Sequence, residues 1–187
     1  CLTSTASTFT GNAHLFGKVY FPRLVSPITS VIYGLLSFFI QMLLLAVTMI
    51  IFAFRGQVVT PNIHILLVPV MLLQMALLGL GIGIIISSLT TKYRDLSILV
   101  GFGMQLWMYA TPVVYPVSQA ASLAPELGKL IMLNPVTPII NNFRYAILGC
   151  GSMDYKYWAL SWIVTFVFLF FGVLIFSRVE KTFMDTV

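Results

Sequence analysis

Charge is what this chain lacks most. Only 8% of its 187 residues are Asp, Glu, Lys or Arg, and only five residues are acidic, whereas an ordinary soluble domain is about a quarter charged. Hydrophobic residues make up 59%, more apolar surface than a soluble core of this length could hide. The few charges are also clustered. Residues 24–54, 65–91, 96–124 and 157–177 contain none at all, and each stretch is long enough to cross a hydrocarbon core, which takes roughly 20 apolar residues. The chain therefore reads as an all-α, polytopic membrane protein.

Other absences narrow the chemistry. Two cysteines, Cys1 and Cys150, stand far apart and make neither a metal set nor a disulfide framework. The spans hold no ionisable group, and both histidines, His14 and His64, fall outside or at the edge of them. That argues against a proton-coupled carrier, which keeps such groups at membrane depth, and against a hydrolase, which needs a base beside its serine. No catalytic residue and no metal ligand set can be named. No G-x-x-x-x-G-K-[ST] run exists, so the chain binds no ATP by a P-loop, and any ATP drive must come from a partner. Gly79, Gly81 and Gly83 imitate a nucleotide loop, but Ile84 occupies the place of its third glycine. Close helix packing through Gly79-x-x-x-Gly83 is the better reading. The net charge of +5 could suggest nucleic acid, yet the basic residues sit singly at the ends of apolar segments, as flanks of transmembrane helices do. Nucleic-acid binding is discounted. The chain opens at Cys1 on a Ser/Thr-rich stretch without the basic start of a signal peptide, and reads as a piece of one membrane domain whose start lies upstream.

What is present divides the chain into spans and a broken region. Residues 11–23, with Lys18, Tyr20 and Arg23, read as an interfacial segment against the membrane. Spans are expected at 24–54, 63–90, 96–116 and 157–177, with a polar tail at 178–187. The first would be about 46 Å long as a straight helix, so tilt or a kink near Pro27 should absorb the excess. Asp95 is placed to cap the third. Residues 117–150 are apolar, yet prolines, among them Pro125, Pro135 and Pro138, cut them into pieces too short to cross. Such pieces are tolerated at membrane depth only when packed in protein or lining a water-filled path. Two short helices are expected there, 125–133 and 135–148. Lys18, Arg23, Lys92, Arg94, Arg178 and Lys181 fall on one side, and Arg55, Lys129, Arg144 and Lys156 on the other, so the first side is the cytoplasmic candidate.

Polar side chains inside the spans supply the candidate path. At 100° per residue, Ser30, Gly34, Ser37, Gln41 and Thr48 share one direction on the first span. Such a face suits a passage for a hydroxyl-rich solute, and hydrogen bonding between helices is the competing use. On the second span Gln74, Gly81 and Ser88 share a face, opposite Gly79 and Gly83. Gln105, Trp107, Tyr109 and Tyr115 lie toward the end of the third, where aromatic rings either stack on sugars or anchor the interface. In the broken region Asn134, Pro135, Asn141, Asn142 and Arg144 stand out; the arginine could pair with a phosphate or reach headgroups. Lys92, Tyr93, Arg94 and Asp95 form the tightest charge cluster, a topological flank that could also receive the push of a motor.

The order of these pieces is specific. Lys18-Val-Tyr-Phe-Pro-Arg23 before a span, Lys92-Tyr-Arg-Asp-Leu96, Thr111-Pro-Val-Val-Tyr-Pro116, and Leu133-Asn-Pro-Val-Thr-Pro138 leading to Phe143-Arg-Tyr145 together resemble the permease subunit of type-2 ABC exporters for polysaccharides and polyol phosphates, the family of O-antigen, capsule and teichoic-acid exporters. The resemblance covers nearly the whole chain. It implies six transmembrane helices, of which these would be the last four, in a multi-pass protein of the bacterial cytoplasmic membrane. It also implies pairing with a second permease copy and with ATP-binding cassette subunits that carry the ATP and Mg, leaving this chain without a cofactor. The substrate would be a lipid-linked glycan. By the same resemblance Lys18, Tyr20, Arg23, Lys92, Arg94 and Asp95 face the motor. Ser30, Ser37, Gln41, Gln105 and Tyr109 are then candidates for the path, and Tyr115, Asn134, Pro135, Asn141 and Arg144 for an outer gate. A type-2 permease for a drug or small lipid, a membrane-embedded glycosyl or acyl transferase, and a passive channel remain the alternatives.

Overall fold

The structure, a computed structural model, describes residues 2–6, 24–55, 62–93, 95–113, 115, 125–149 and 151–184. Helix α1 is Leu2–Ala6 and α2 is Val25–Phe54. A 3₁₀ turn, Ile63–Leu67, runs into α3, Val68–Lys92. Then come α4 (Leu96–Ala110), α5 (Pro125–Leu133), α6 (Val136–Leu148) and α7 (Tyr155–Met184). Among the described residues there is no strand, as expected where hydrocarbon forces each segment to satisfy its own backbone. Among the described residues three stretches are long and apolar enough to cross a membrane: Val25–Phe54, Ile63–Thr90 and Tyr155–Arg178.

Several boundaries differ from the sequence expectation for physical reasons. The third expected span ends at Ala110 instead of 116. Pro112 offers no N–H and pushes Thr111 out of helical geometry, and the N–H of Val113 turns back to the Thr111 carbonyl at 2.7 Å. With 15 residues, α4 is about 22 Å long, short of a core of about 30 Å. Pro27 makes no break in α2, because it lies in the first turn, where a missing N–H costs nothing. The expected tail from 178 continues α7 as far as Met184. The two short helices form as expected. Pro135 sits at the N-cap of α6, and Gly149, at φ 68°, closes it with its N–H on the Tyr145 carbonyl, a left-handed ending that glycine adopts without strain. The segment 11–23, with Lys18, Tyr20 and Arg23, and the connection 116–124 lie outside the described residues, as does Arg94.

The contacts divide the chain into two compact units. The first comprises Cys1–Gly34, Ala76–Trp107 and Val164–Val187. Glycine sets its packing. A Cβ on Gly81 would stand 2.8 Å from the Leu169 amide nitrogen, and one on Gly172 would stand 2.8 Å from the Gly81 carbonyl oxygen. Thus α3 and α7 cross backbone to backbone at this pair, the close approach that small residues permit in membranes. Gly83 faces elsewhere, with a Cβ there 2.6 Å from Thr5 Cβ of α1, and Thr90 Oγ1 donates to the Ala6 carbonyl at 3.4 Å. The expected packing through Gly79-x-x-x-Gly83 is met in part: Gly83 packs on Thr5 and Gly79 is buried, while the close crossing with α7 falls on Gly81, on the opposite face of α3.

The second unit comprises Leu35–Met75 and Met108–Ile163. Its core gathers Val68, Ala146 and Ile147, against which Met42, Leu45, Met49, Leu72 and Phe143 pack. The side chains from α2 in this cluster recur at i, i+3 and i+7, one stripe of the helix. Phe38 extends it, edge-on to Phe143 at 6.0 Å.

The glycine crossing is directly testable. Gly81→Ala must displace the α7 backbone and should destabilise by about 1–3 kcal/mol. Gly101→Ala meets nothing within 4 Å and should leave stability unchanged or slightly higher. Thermal unfolding in detergent followed by tryptophan fluorescence reads both; equal melting temperatures would refute the crossing.

Candidate translocation path and gate

In the second unit four polar groups form one directed chain of hydrogen bonds. Trp158 Nε1 of α7 donates to Gln74 Oε1 of α3 at 2.7 Å. Gln74 Nε2 donates to Ser161 Oγ at 2.9 Å, and Ser161 Oγ donates to the Pro135 carbonyl at 2.6 Å. Gln74 is 0% exposed and Ser161 1%. Trp158 and Ser161 share a face of α7 because they lie three residues apart. A buried amide normally costs free energy; here its oxygen and its nitrogen each have a partner, and the chain ends on the carbonyl that opens α6.

The turn before α6 is held from a second direction. Asn134 Nδ2 donates to Thr111 Oγ1 at 3.0 Å, while Asn134 Oδ1 accepts the Val136 N–H at 3.1 Å. That second bond is an Asx turn, typical of Asn at turns, that leads into the helix. Thr111 is buried at the end of α4. One turn from the end of α6, Arg144 Nη2 donates to the Val113 carbonyl at 2.9 Å and to the Pro112 carbonyl at 3.5 Å. It satisfies carbonyls that the proline break at 112 leaves without helical partners. Tyr115 Oη donates to the Tyr109 carbonyl at 3.1 Å, so a candidate gate residue and a candidate path residue meet at the same break. Asn141 is partly buried.

On its remaining side α6 meets the entry to α3. The Asn62 N–H donates to the Ala146 carbonyl at 3.1 Å, and Asn62 Oδ1 accepts the Ile63 N–H at 2.9 Å. The His64 ring lies 5.3 Å from that of Tyr145, with Nε2 3.5 Å from Tyr155 Oη. The sequence singles out Gln74 without a partner and His64 only as lying at the edge of a span, and gives no signal at Ser161 or Trp158. Their partners lie 87, 84 and 91 residues away, beyond any local signal.

The candidate path residues behave differently. On α2, Phe38, Met42, Leu45 and Met49 carry the packing. Ser37 and Gln41 flank that stripe and are exposed, as are Tyr33 at 68% and Ile40 at 72%, and their side chains make no hydrogen bond among the described residues. Ser30 and Thr48 bond back to carbonyls of their own helix, at 3.2 and 2.7 Å. On α4, Gln105 and Tyr109 are exposed, and Gly101 and Gly103 leave open space. Of the candidate motor contacts, Lys92 ends α3, and Asp95, exposed, immediately precedes α4 with its carbonyl accepting the Ile98 N–H at 3.3 Å.

Long apolar helices, a broken region fastened inside the protein and polar faces left uncovered describe a transport subunit. The model of the ABC-2 type transporter family matches residues 1–148. The chain belongs to that family. It is 27% identical over 185 residues to an O-antigen export system permease protein RfbA of Klebsiella pneumoniae, covering 98% of this chain and 68% of the relative. A second RfbA of Klebsiella pneumoniae is 25% identical over the same shares. The Myxococcus xanthus RfbA is 30% identical over 141 residues, 74% of this chain and 51% of its own length. This family member is thus a multi-pass helical membrane protein of transport type, and the family implies an ATP-binding partner.

The hydrogen-bond chain predicts a measurable coupling. A double-mutant cycle of Gln74→Leu and Ser161→Ala, read by unfolding in mixed micelles, should give about 0.6 kcal/mol and no more than roughly 1.7, the range of interhelical bonds in membranes. Gln74→Leu alone should cost more, about 1–3 kcal/mol, since it strands the indole N–H of Trp158. A coupling of zero would mean the bond is not formed.

Proposed function

We propose that this chain is the membrane subunit of an ATP-driven exporter that moves a lipid-linked polysaccharide or polyol-phosphate polymer outward across the bacterial cytoplasmic membrane. One observation carries the proposal: similarity to O-antigen export permeases extends along 98% of the chain, through the spans and the broken region alike. The chain works with an ATP-binding cassette subunit, which supplies ATP and Mg, and with a second copy of itself. Lys18, Tyr20 and Arg23, with Lys92, Arg94 and Asp95, take up the motion of the motor on the cytoplasmic side, and the region 117–150 lies at the outer side as a gate. The mechanism is mechanical. ATP draws the motor subunits together, the push enters at the cytoplasmic turns, and a path opens along polar faces, with Ser37, Gln41, Gln105 and Tyr109 toward the polymer. An uncovered amide facing lipid is costly, which favours water, glycan or a second copy as what those side chains meet. No residue makes or breaks a bond.

Deleting the chain's gene should remove the polymer from the cell surface while drug sensitivity stays unchanged, and an ATPase-dead partner should do the same. Altered drug sensitivity with intact surface polymer would favour the small-lipid or drug permease. Transferase turnover by the purified chain without any ATPase would overturn the proposal. For the path, Ser37→Cys and Gln41→Cys in the assembled transporter should react with a membrane-impermeant thiol reagent at least about tenfold faster during ATP turnover than Met42→Cys, whose position is packed. Equal rates would remove this face of α2 from the path.

A further inference from the structure

A gate made of short helices suggests a flap, and the two left-handed glycines after α6, Gly149 at φ 68° and Gly151 at φ 100°, look like its hinge. The bonds around α6 argue otherwise. Its opening carbonyl is held by Ser161 Oγ of α7 at 2.6 Å. The turn before it is held by Thr111 of α4 at 3.0 Å, and Arg144 is held by the 112–113 carbonyls at 2.9 and 3.5 Å. The Ala146 carbonyl is held by the Asn62 N–H at 3.1 Å. Ala146 at 0% and Ile147 at 3% exposure lie in the core. Swinging α6 outward would break all of these at once. It would separate a guanidinium, an amide, a hydroxyl and several carbonyls together, with the buried Thr111 and Ser161 hydroxyls losing partners that water replaces least well.

We infer that Arg144, Asn134 and Ser161 are positioning residues that join the turn between α5 and α6, and α6 itself, to the outer ends of α4 and α7. The short helices then travel with these spans as one block. The outer opening forms at the edge of that block, against whatever adjoins it in the assembled transporter, and Gly149 and Gly151 serve to end the helix. This rests on the placement of 117–150 at the outer side of an exporter. It also gives Arg144 a structural role: its Nη2 holds two peptide carbonyls, which ties the proline break to the gate.

The test uses the whole transporter, membrane subunit with its ATPase partner, in a background with Cys1 and Cys150 changed to serine. Spin labels at Met108→Cys and Leu130→Cys, both exposed positions on α4 and α5, report the distance between the end of the span and the short helices. The expected result is the same distance in nucleotide-free and ATP-trapped states. A change of one helical turn, roughly 5 Å, would overturn the block and restore the flap. Independently, Thr111→Cys with Asn134→Cys is oxidised to fix the contact, and export is compared with that of the same variant reduced. No loss on oxidation is expected; loss that reduction restores would overturn the inference. The spin-label distance decides the matter even where the cysteine pair does not cross-link. It needs no exported polymer, so failure of the block and failure of the proposed cargo are told apart. A third readout separates positioning from mere folding. With ATPase turnover retained, export by Arg144→Ala should fall roughly tenfold, the scale of one charge-assisted hydrogen bond, and Arg144→Lys, able to reach one carbonyl, should recover part of it. Equal export by both variants and the parent would refute the role of Arg144.

Discussion

Polar groups at membrane depth must find their partners inside the protein, and the second unit is arranged around that constraint. The chain from the Trp158 indole through the Gln74 amide and the Ser161 hydroxyl to the Pro135 carbonyl meets it for two spans and for the start of a broken helix together. The last link ties the turn between α5 and α6, whose own backbone bonds run Asn134 N–H to Ile131 and Thr137 N–H to Asn134, to α7. With it, a helix of only 13 residues stays where no membrane-spanning length could hold it. Arg144 answers the same need at the other break, donating to the carbonyls that follow α4.

Glycine and polar side chains therefore do different work in the two units. In the first, α3 and α7 approach so closely at Gly81 and Gly172 that no Cβ fits between them, and dispersion between backbones supplies the contact. In the second, hydrogen bonds and the cluster at Val68, Ala146 and Ile147 hold elements too short or too broken for ridge-and-groove packing. The spans expose faces as well. Apart from Pro27 and Val31, α2 has no buried residue, and no residue of α4 is buried. An apolar exposed face suits lipid. Ser37, Gln41 and Gln105 are exposed polar exceptions.

Much of this was legible in the amino-acid sequence, for identifiable reasons. Uncharged runs of membrane length mark α2, α3 and α7 because burying even one charge in hydrocarbon is expensive. Pro125, Pro135 and Gly149 bound the short helices because proline lacks an N–H and glycine tolerates positive φ. The faces of α3 followed from the 100° period: Gly81 on one side toward α7, Gly83 on another toward Thr5. The end of α4 was misjudged by six residues, because hydropathy continues smoothly through Thr111 and Pro112 while the backbone does not.

Sequence by itself determined that the chain is helical, membrane-embedded and interrupted between Pro112 and Gly149. Each of those properties is local, set by the hydration cost of a side chain or the torsion of one residue. Only the tertiary structure decided what the interruption is attached to. Arg144 reaches carbonyls 31 and 32 residues away, a pairing that no local pattern announces. Gln74 could have faced a path, yet it meets Ser161 and Trp158 because the packing of α3 on α7 brings them there. A hydrogen bond between distant residues leaves no periodic trace in a chain, since its geometry exists only after the helices have packed.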